Sequence, residues 1–281
     1  MNDEQVVLSY IQAKDVLKAP QTGRTLSLDL GLTSTEVSIG AEGIQLPHGQ
    51  SLTWGQLEEI GTSERGCFVI KDDGTPHKIQ VFSETTHRLY SLMPTAGAPT
   101  LLISGIPMHR IKGIDPHQDT LQKIKTIAPM TGTVLDTATG LGYTAIEAAK
   151  TAERVITIEI EPAVLEVARF NPWSRALFEN PKITQLVGDV CDEIETFDDG
   201  TFMRIIHDPP AFSIAGDLYS GVFYRQLFRV LRRGGRLFHY VGNLESRSGR
   251  TISRGAVRRL RDAGFSRVVR RPEAFGLVAY K

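Results

Sequence analysis

Between residue 23 and about residue 105, apolar and polar positions alternate with a period of two. The runs RTLSLDLGLTSTEVSIG, GCFVIKDDGTPHKIQVFS and TLLISG carry this alternation and are punctuated by Gly, Asp and Pro. Such texture predicts short antiparallel strands with one face buried, and Asp73-Gly74 sits between two runs as a hairpin signal. From Asp115 onward the pattern changes. The short apolar runs GTVLDTA, RVITIEI, ITQLVGD, FMRIIHD and GRLFHYV alternate with helical stretches, as in a parallel sheet covered by helices on both faces. The change falls between residues 105 and 115. It predicts an N-terminal β-rich domain over 1–110 and an α/β domain over 111–281, with no repeat or low-complexity segment.

With 281 residues, 41% of them hydrophobic, the chain can bury a sizeable core. No window approaches the roughly 18 apolar residues of a membrane span. The start MNDEQVVLSYIQAKD lacks the basic flank and apolar core of a signal peptide, which predicts a cytoplasmic protein without a membrane partner. Cys67 and Cys191 stand far apart with no paired spacing. They suggest neither a disulfide framework nor zinc, and read as buried thiols. Charge is balanced overall at 32 basic and 32 acidic residues. Yet residues 225–271 hold fourteen arginines against Glu245 and Asp262, a net +12 that leaves −12 to the remainder.

Val134 to Ala149, VLDTATGLGYTAIEAA, runs from an apolar strand ending in Asp136 through Gly140 and Gly142 into an Ala-rich helix starting near Tyr143. Small residues at such a turn let a ligand approach the backbone. Ala145 stands where a dinucleotide fingerprint prefers a third glycine. Three further strands also finish in an acid, at Glu159, Asp189 and Asp208. Ligands of open α/β sheets bind outside the carboxyl ends of the strands, so these acids line the expected crevice. A glutamate there can accept both hydroxyls of a ribose, and an aspartate can accept an exocyclic amine.

LDTATGLGYTAIEAA, IEIEP, GDV and DPPAF, in this order and spacing, resemble the class I S-adenosylmethionine-dependent methyltransferases over roughly residues 115–281. The resemblance implies an α/β, doubly wound, mainly parallel seven-stranded sheet with S-adenosyl-L-methionine as cofactor. It assigns the methionine portion to Asp136, Thr137, Ala138, Gly140, Gly142 and Tyr143, the ribose to Glu159 with Ile160 beside it, and the adenine to Asp189 and Val190. Strand-end acids suit a cofactor without a pyrophosphate.

HDPPAFS carries the chemistry of the acceptor. In the family, such a motif accompanies transfer to nitrogen, and a DPP variant occurs in some carbon-directed RNA methyltransferases. Asp208, beside the rigid Pro209 and Pro210, would orient an attacking amine, and Phe212 would stack on a planar substrate. Equally, the two prolines would stop a strand and Phe212 would lie in the core. A second resemblance, to the spermidine-synthase group of aminopropyltransferases, rests on Met108–Arg110, GDLYSGVFYRQLFRVLRRGG and the β-rich N-terminal part. ATGLG and DPPAF depart from that group's glycines and paired acids. A third reading is a binding module that keeps the fold without catalysis.

His109, Arg110, Asp115, His117 and Asp119 would form a lid or substrate contact, or else a helix start and its solvated face. Their spacing matches no rigid metal-ligand pattern. His207 is expected on the opposite side of its strand from Asp208. The arginines of 225–271 would bind the phosphates of an RNA substrate, with Arg258 and Arg261 nearly on one helix face and Arg259, offset by about 100°, reaching a neighbouring phosphate. Their other reading is a general cationic surface.

Overall fold

The computed structural model describes residues 5–18, 24–210 and 215–281. They pack into two units, residues 118–162 with 177–281, and residues 1–117 with 163–176.

The first of these carries seven strands: β1 (Thr133–Asp136), β2 (Arg154–Glu159), β3 (Ile183–Val187), β4 (Phe202–His207), β5 (Leu231–Tyr240), β6 (Arg267–Arg271) and β7 (Gly276–Tyr280). They pair in the order β3-β2-β1-β4-β5-β7-β6. Strands β1 to β5 are parallel, and β7 runs antiparallel to both β5 and β6. This is the class I methyltransferase-like sheet, doubly wound and mostly parallel. The chain steps outward from β1 to β3 on one side and crosses to β4 on the other, so the switch point lies between β1 and β4, where a crevice opens at the carboxyl ends.

Helices α1 (Pro116–Lys125), α2 (Tyr143–Ala149), α3 (Pro162–Phe170), α4 (Arg175–Glu179), α5 (Val190–Glu193), α6 (Gly221–Val230) and α7 (Arg247–Asp262) make the connections. Helix α6 starts where the Ser220 side chain accepts from Phe223 N, which satisfies a donor that the helix leaves open. Its buried residues Phe223, Tyr224, Leu227 and Val230 recur at helical spacing and pack with Leu135, Ile156, Ile205 and Leu237 of the strands. Helix α7 buries Gly249, Ser253, Ala256 and Leu260 and leaves its other faces to arginines.

In the other unit, the predicted alternation appears as three small antiparallel sheets with two helices, Tyr10–Lys18 and Trp54–Thr62. Thr53 and Gln56 form a reciprocal capping box that starts the second helix. Strand Cys67–Ile70 turns back on Pro76–Lys78 through Gly74 at φ +78, where a Cβ would stand 2.5 Å from Ser51 O. The Asp73-Gly74 signal therefore marks a real hairpin. Residues 163–176 group with this unit, where Trp173 Nε1 donates to Leu30 O at 3.1 Å. Cys67 is buried, which pushes its thiol pKa up, whereas Cys191 is only half-buried.

Two histidines lie side by side in the sheet core, His207 on β4 opposite His239 on β5. His207 Nε2 faces Leu218 O at 2.9 Å and so carries the proton, leaving Nδ1 to accept from Thr137 Oγ1 at 2.7 Å. His239 Nε2 lies 2.7 Å from Tyr224 Oη. Burial lowers both pKa values, that of His207 to about 4. Each ring is thus neutral in the fold, while the unfolded chain takes up a proton below about pH 6.5. The stability that these rings contribute is complete above pH 6.5 and is lost as the pH falls toward 4. Urea unfolding from pH 7 to 4.5 should show it, with a loss of up to about 1.4 kcal/mol per pH unit for each ring. His207→Gln should start less stable at pH 7 and fall less steeply; parallel profiles would remove His207 from this role.

Candidate functional site

The turn after β1 is built around a carboxyl with no exposed surface. Asp136 Oδ2 accepts from Thr144 Oγ1 of α2 at 3.0 Å and from Thr157 Oγ1 of β2 at 3.1 Å. Thr157 thereby spends its proton, so Thr139 Oγ1, 2.7 Å away, donates to it. Burial, only partly offset by these hydrogen bonds, raises the Asp136 pKa to about 8. One carboxyl thus ties the strand end, the neighbouring strand and the following helix together.

Within the turn, Asp136, Thr137, Gly142 and Tyr143 are buried, while Ala138 and Gly140 reach the surface in part. Gly140, at φ +53, has no atom within 4 Å of where a Cβ would stand. Gly142 is held differently, at φ +78 with a Cβ position 2.7 Å from Leu177. The first glycine leaves open room above the backbone, and the second closes the turn against α4.

Glu159 ends β2 with its carboxylate 9% exposed. Oε2 accepts from Gly140 N at 2.9 Å and Oε1 from Glu161 N at 3.1 Å. Burial raises its pKa, against the pull of these two donors. Each oxygen keeps a second lone pair for a hydroxyl donor. Ile160 follows at 64% exposure, and Val187, level with Glu159 on β3, is 56% exposed. Asp189 stands exposed as the N-cap of α5, its Oδ1 accepting from Cys191 N at 2.8 Å. Val190 is buried behind it.

At the end of β4, Asp208 is held by a residue that pattern and motif leave unmarked. Lys123 of α1 places Nζ 2.6 Å from Asp208 Oδ2 and 2.8 Å from Asp119 Oδ2. Asp119 is fully buried and Lys123 is 4% exposed. Burial works against the ammonium, but the charges of Asp208 and Asp119 outweigh it and hold Lys123 protonated, above the ordinary lysine value. The ammonium also lies 4.9 Å from the centre of the Tyr240 ring, a cation–π contact. Asp119 belongs to the stretch read as a lid or a solvated face, and it is neither. Hydropathy hides the pair, because α1 turns Leu121 outward at 42% exposure and these charges inward.

Pro209 is buried, and Pro210 O accepts from Tyr219 Oη at 3.1 Å. Phe212 lies outside the described residues. Of the remaining candidates, Asp115 Oδ1 accepts from His117 N at the start of α1, His117 stacks at 5.4 Å on Trp173, and His109 Nδ1 lies 2.9 Å from Thr100 Oγ1. Arg258 and Arg261 are exposed as expected. Arg259 is half-buried and donates from Nε to Tyr219 O at 2.8 Å, so it braces the loop before α6.

No protein-family model matches the chain. The uncharacterized protein MJ1233 of Methanocaldococcus jannaschii is 43% identical to it over 98% of this chain and 96% of its own length. Putrescine N-methyltransferase 3 of Nicotiana tabacum is 28% identical over 48% of this chain, which spans 37% of that relative. Among solved structures, spermidine synthase from Thermotoga maritima superposes with a TM-score of 0.56 at 17% identity, covering 71% of this chain and 70% of that one. It shares the fold.

The buried ion pair generates a stability prediction. Lys123→Met removes the ammonium held between Asp119 and Asp208, and breaking a buried pair in this way costs about 3–5 kcal/mol. Asp208→Asn keeps the Lys123–Asp119 contact and should cost clearly less. Equal losses in chemical denaturation would show that Asp119 contributes nothing to holding Lys123.

Proposed function

Because the chain belongs to the family of the uncharacterized protein MJ1233 of Methanocaldococcus jannaschii and carries a class I methyltransferase-like sheet, we propose that it is an S-adenosyl-L-methionine-dependent methyltransferase whose acceptor is a nitrogen. The observation that carries this reading is the row Glu159, Ile160 and Val187 at the ends of β2 and β3. Two large aliphatic side chains stay exposed there, on either side of a carboxylate with spare lone pairs. Covering each would gain up to about 1.5–3 kcal/mol.

The residues fit an adenosine-bearing cofactor. Glu159 accepts the ribose hydroxyls, Ile160 and Val187 cover an adenine face, Asp189 takes the exocyclic amine, and the open side of Gly140 admits the methionine portion. Asp136, Thr137, Gly142 and Tyr143 keep that turn in shape from beneath. When bound, the cofactor supplies a sulfonium carbon open to attack by a nucleophile.

Asp208 orients the acceptor. Its carboxylate is fixed by Lys123 at 2.6 Å, so it does not wander with substrate, and it accepts a hydrogen bond from the attacking amine and directs the lone pair. Lys123 is shared with Asp119, so it offsets only part of the charge of Asp208. A base nitrogen arrives neutral and needs from this carboxylate only a fixed hydrogen-bond acceptor. The similarity to putrescine N-methyltransferase and the shared fold with spermidine synthase support a second reading, in which a diamine is the acceptor or the transferred group is aminopropyl.

Calorimetry with S-adenosylmethionine tests the cofactor. Each charge-assisted hydrogen bond is worth about 1.5–3 kcal/mol, so Glu159→Ala should weaken binding at least tenfold while the chain stays folded. Unchanged affinity would refute the ribose assignment. Tighter binding of decarboxylated S-adenosylmethionine by the wild type would install the aminopropyl reading. With an acceptor in hand, Asp208→Asn should lower turnover far more than cofactor affinity, and equal losses would place Asp208 in the cofactor site.

A further inference from the structure

Helix α7 carries Arg247, Arg250, Arg254, Arg258 and Arg261, all exposed. Their spacings of three, four, four and three residues keep all five within a sector of about 80° along about 21 Å of helix. Neighbours in such a row stand about 5–6 Å apart at Cβ. Among the described residues, no carboxylate pairs with any of them. The opposite face, Gly249, Ser253, Ala256 and Leu260, is buried in the unit.

Other arginines of the same stretch have structural duties. Arg229 is held by Phe197 O, Ile194 O and Asp199, Arg236 donates to Ala128 O, and Arg259 to Tyr219 O. The row on α7 is bonded only locally: Arg250 donates to Glu245 O and Arg254 Nε to Arg250 O at 3.3 Å, within or next to their own helix. Five like charges in line repel one another, and no acid among the described residues pairs with them to offset it.

Topology sets where the row leads. Strand β5 is parallel to β4, with His239 level with His207, so Tyr240 stands beside Asp208 at the crevice edge. The chain then turns through Val241, whose N donates to Phe275 O, and enters α7 at Arg247. The row starts at the side of the sheet where the acceptor is to be held and runs back from it. Exposed Ser248 adds a hydroxyl at that end, next to Thr251, whose Oγ1 donates to Arg247 O at 3.3 Å.

We propose that this arginine row is an RNA-binding track that holds the phosphate backbone of an unpaired segment and presents one base at Asp208. Guanidinium forks pair with phosphate oxygens. A row of arginines without aromatic residues grips the backbone and leaves the bases unstacked. A base acceptor must leave any stack before its nitrogen can enter a crevice, which costs a few kcal/mol in a duplex and little in an RNA loop. A membrane does not fit, because the apolar face of α7 lies inside the protein and only its charges remain outside. The inference rests on the proposed function only in naming a base at Asp208. The binding itself is measured without cofactor.

Fluorescence anisotropy with a labelled unstructured 20-nucleotide RNA, across a salt series, decides it. Five phosphate contacts predict a log–log salt slope of about −3.5, since each contact on a single strand contributes about 0.7. Arg254→Ala/Arg258→Ala should flatten the slope by about 1.4, while S-adenosylmethionine binding by the same variant stays unchanged. Arg232→Ala/Arg233→Ala removes the same charge at the exposed start of β5, the end of the parallel strands opposite the crevice, and should leave the slope as it was. Undetectable RNA binding at low salt overturns the proposal, as does an equal effect of both double variants. Equal or tighter binding of single-stranded DNA, or of vesicles containing phosphatidylserine, overturns the commitment to RNA. If RNA binds through the row and S-adenosylmethionine does not bind, the track stands and the methyltransferase reading fails.

Discussion

The carboxyl of Asp136 sets the geometry on which the crevice depends. A parallel sheet ends in loops, and loops seldom hold a shape unless something beneath fixes them. Here a buried carboxyl oxygen receives the hydroxyls of Thr144 and Thr157, which locks the start of α2 against the end of β2. The turn between them closes on its own backbone through Gly142 N to Thr139 O at 2.7 Å. Glu159 adds a second tie to the same turn through Gly140 N. Two acids therefore support seven residues of backbone, one from below and one from the side, and only Glu159 keeps lone pairs toward the crevice. This division explains why the two differ in exposure while both have raised pKa values: each is desolvated, but only one is sealed.

The charge at Asp208 follows a different logic. An isolated carboxylate at a partly buried strand end would be free to bind any cation. Lys123, anchored from behind by Asp119, fills that demand within the protein. What remains at the crevice is a hydrogen-bond acceptor of fixed position, its charge partly offset by an ammonium that it shares with Asp119. Such a group suits alignment, which is most of what an already activated methyl donor requires of a protein.

Much of this was legible in the sequence. Apolar runs ending in Asp136, Glu159, Asp189 and Asp208 located the strand ends, because burial on both faces makes parallel strands read as continuous hydrophobic stretches. Gly140 and Gly142 located the turn, since both have positive φ. The individual roles were less accessible. A strand-end acid looks the same in sequence whether it is sealed, as Asp136 is, or caps a helix, as Asp189 does. Lys123 was hidden because a buried ion pair on an amphipathic helix has the composition of a solvated face. The assignment of residues 163–176 to the unit of the first 117 residues was hidden for another reason: periodicity reports which face of α3 is apolar, and not which partner covers it.

The fourteen arginines of residues 225–271 show how one composition divides by geometry. Counted together they give one large positive number, and that number alone supports either a general cationic surface or a phosphate site. Placed on the fold they separate. Arg229, Arg236 and Arg259 satisfy carbonyls that would otherwise lack donors, each hydrogen bond from a charged donor contributing about 1.5–3 kcal/mol to the fold. The row Arg247, Arg250, Arg254, Arg258 and Arg261 on α7 faces solvent in line and pairs with no acid among the described residues, although Arg250 and Arg254 each donate to a carbonyl. A polycationic acceptor would be repelled by that row, and a polyanion would be drawn along it. At Asp208 one ammonium is shared by two carboxylates, so the interior keeps a negative charge and does not add to that discrimination. Because the buried ion pair is shielded from salt and the surface row is not, the first governs where a nitrogen is placed and the second governs how readily its carrier is held.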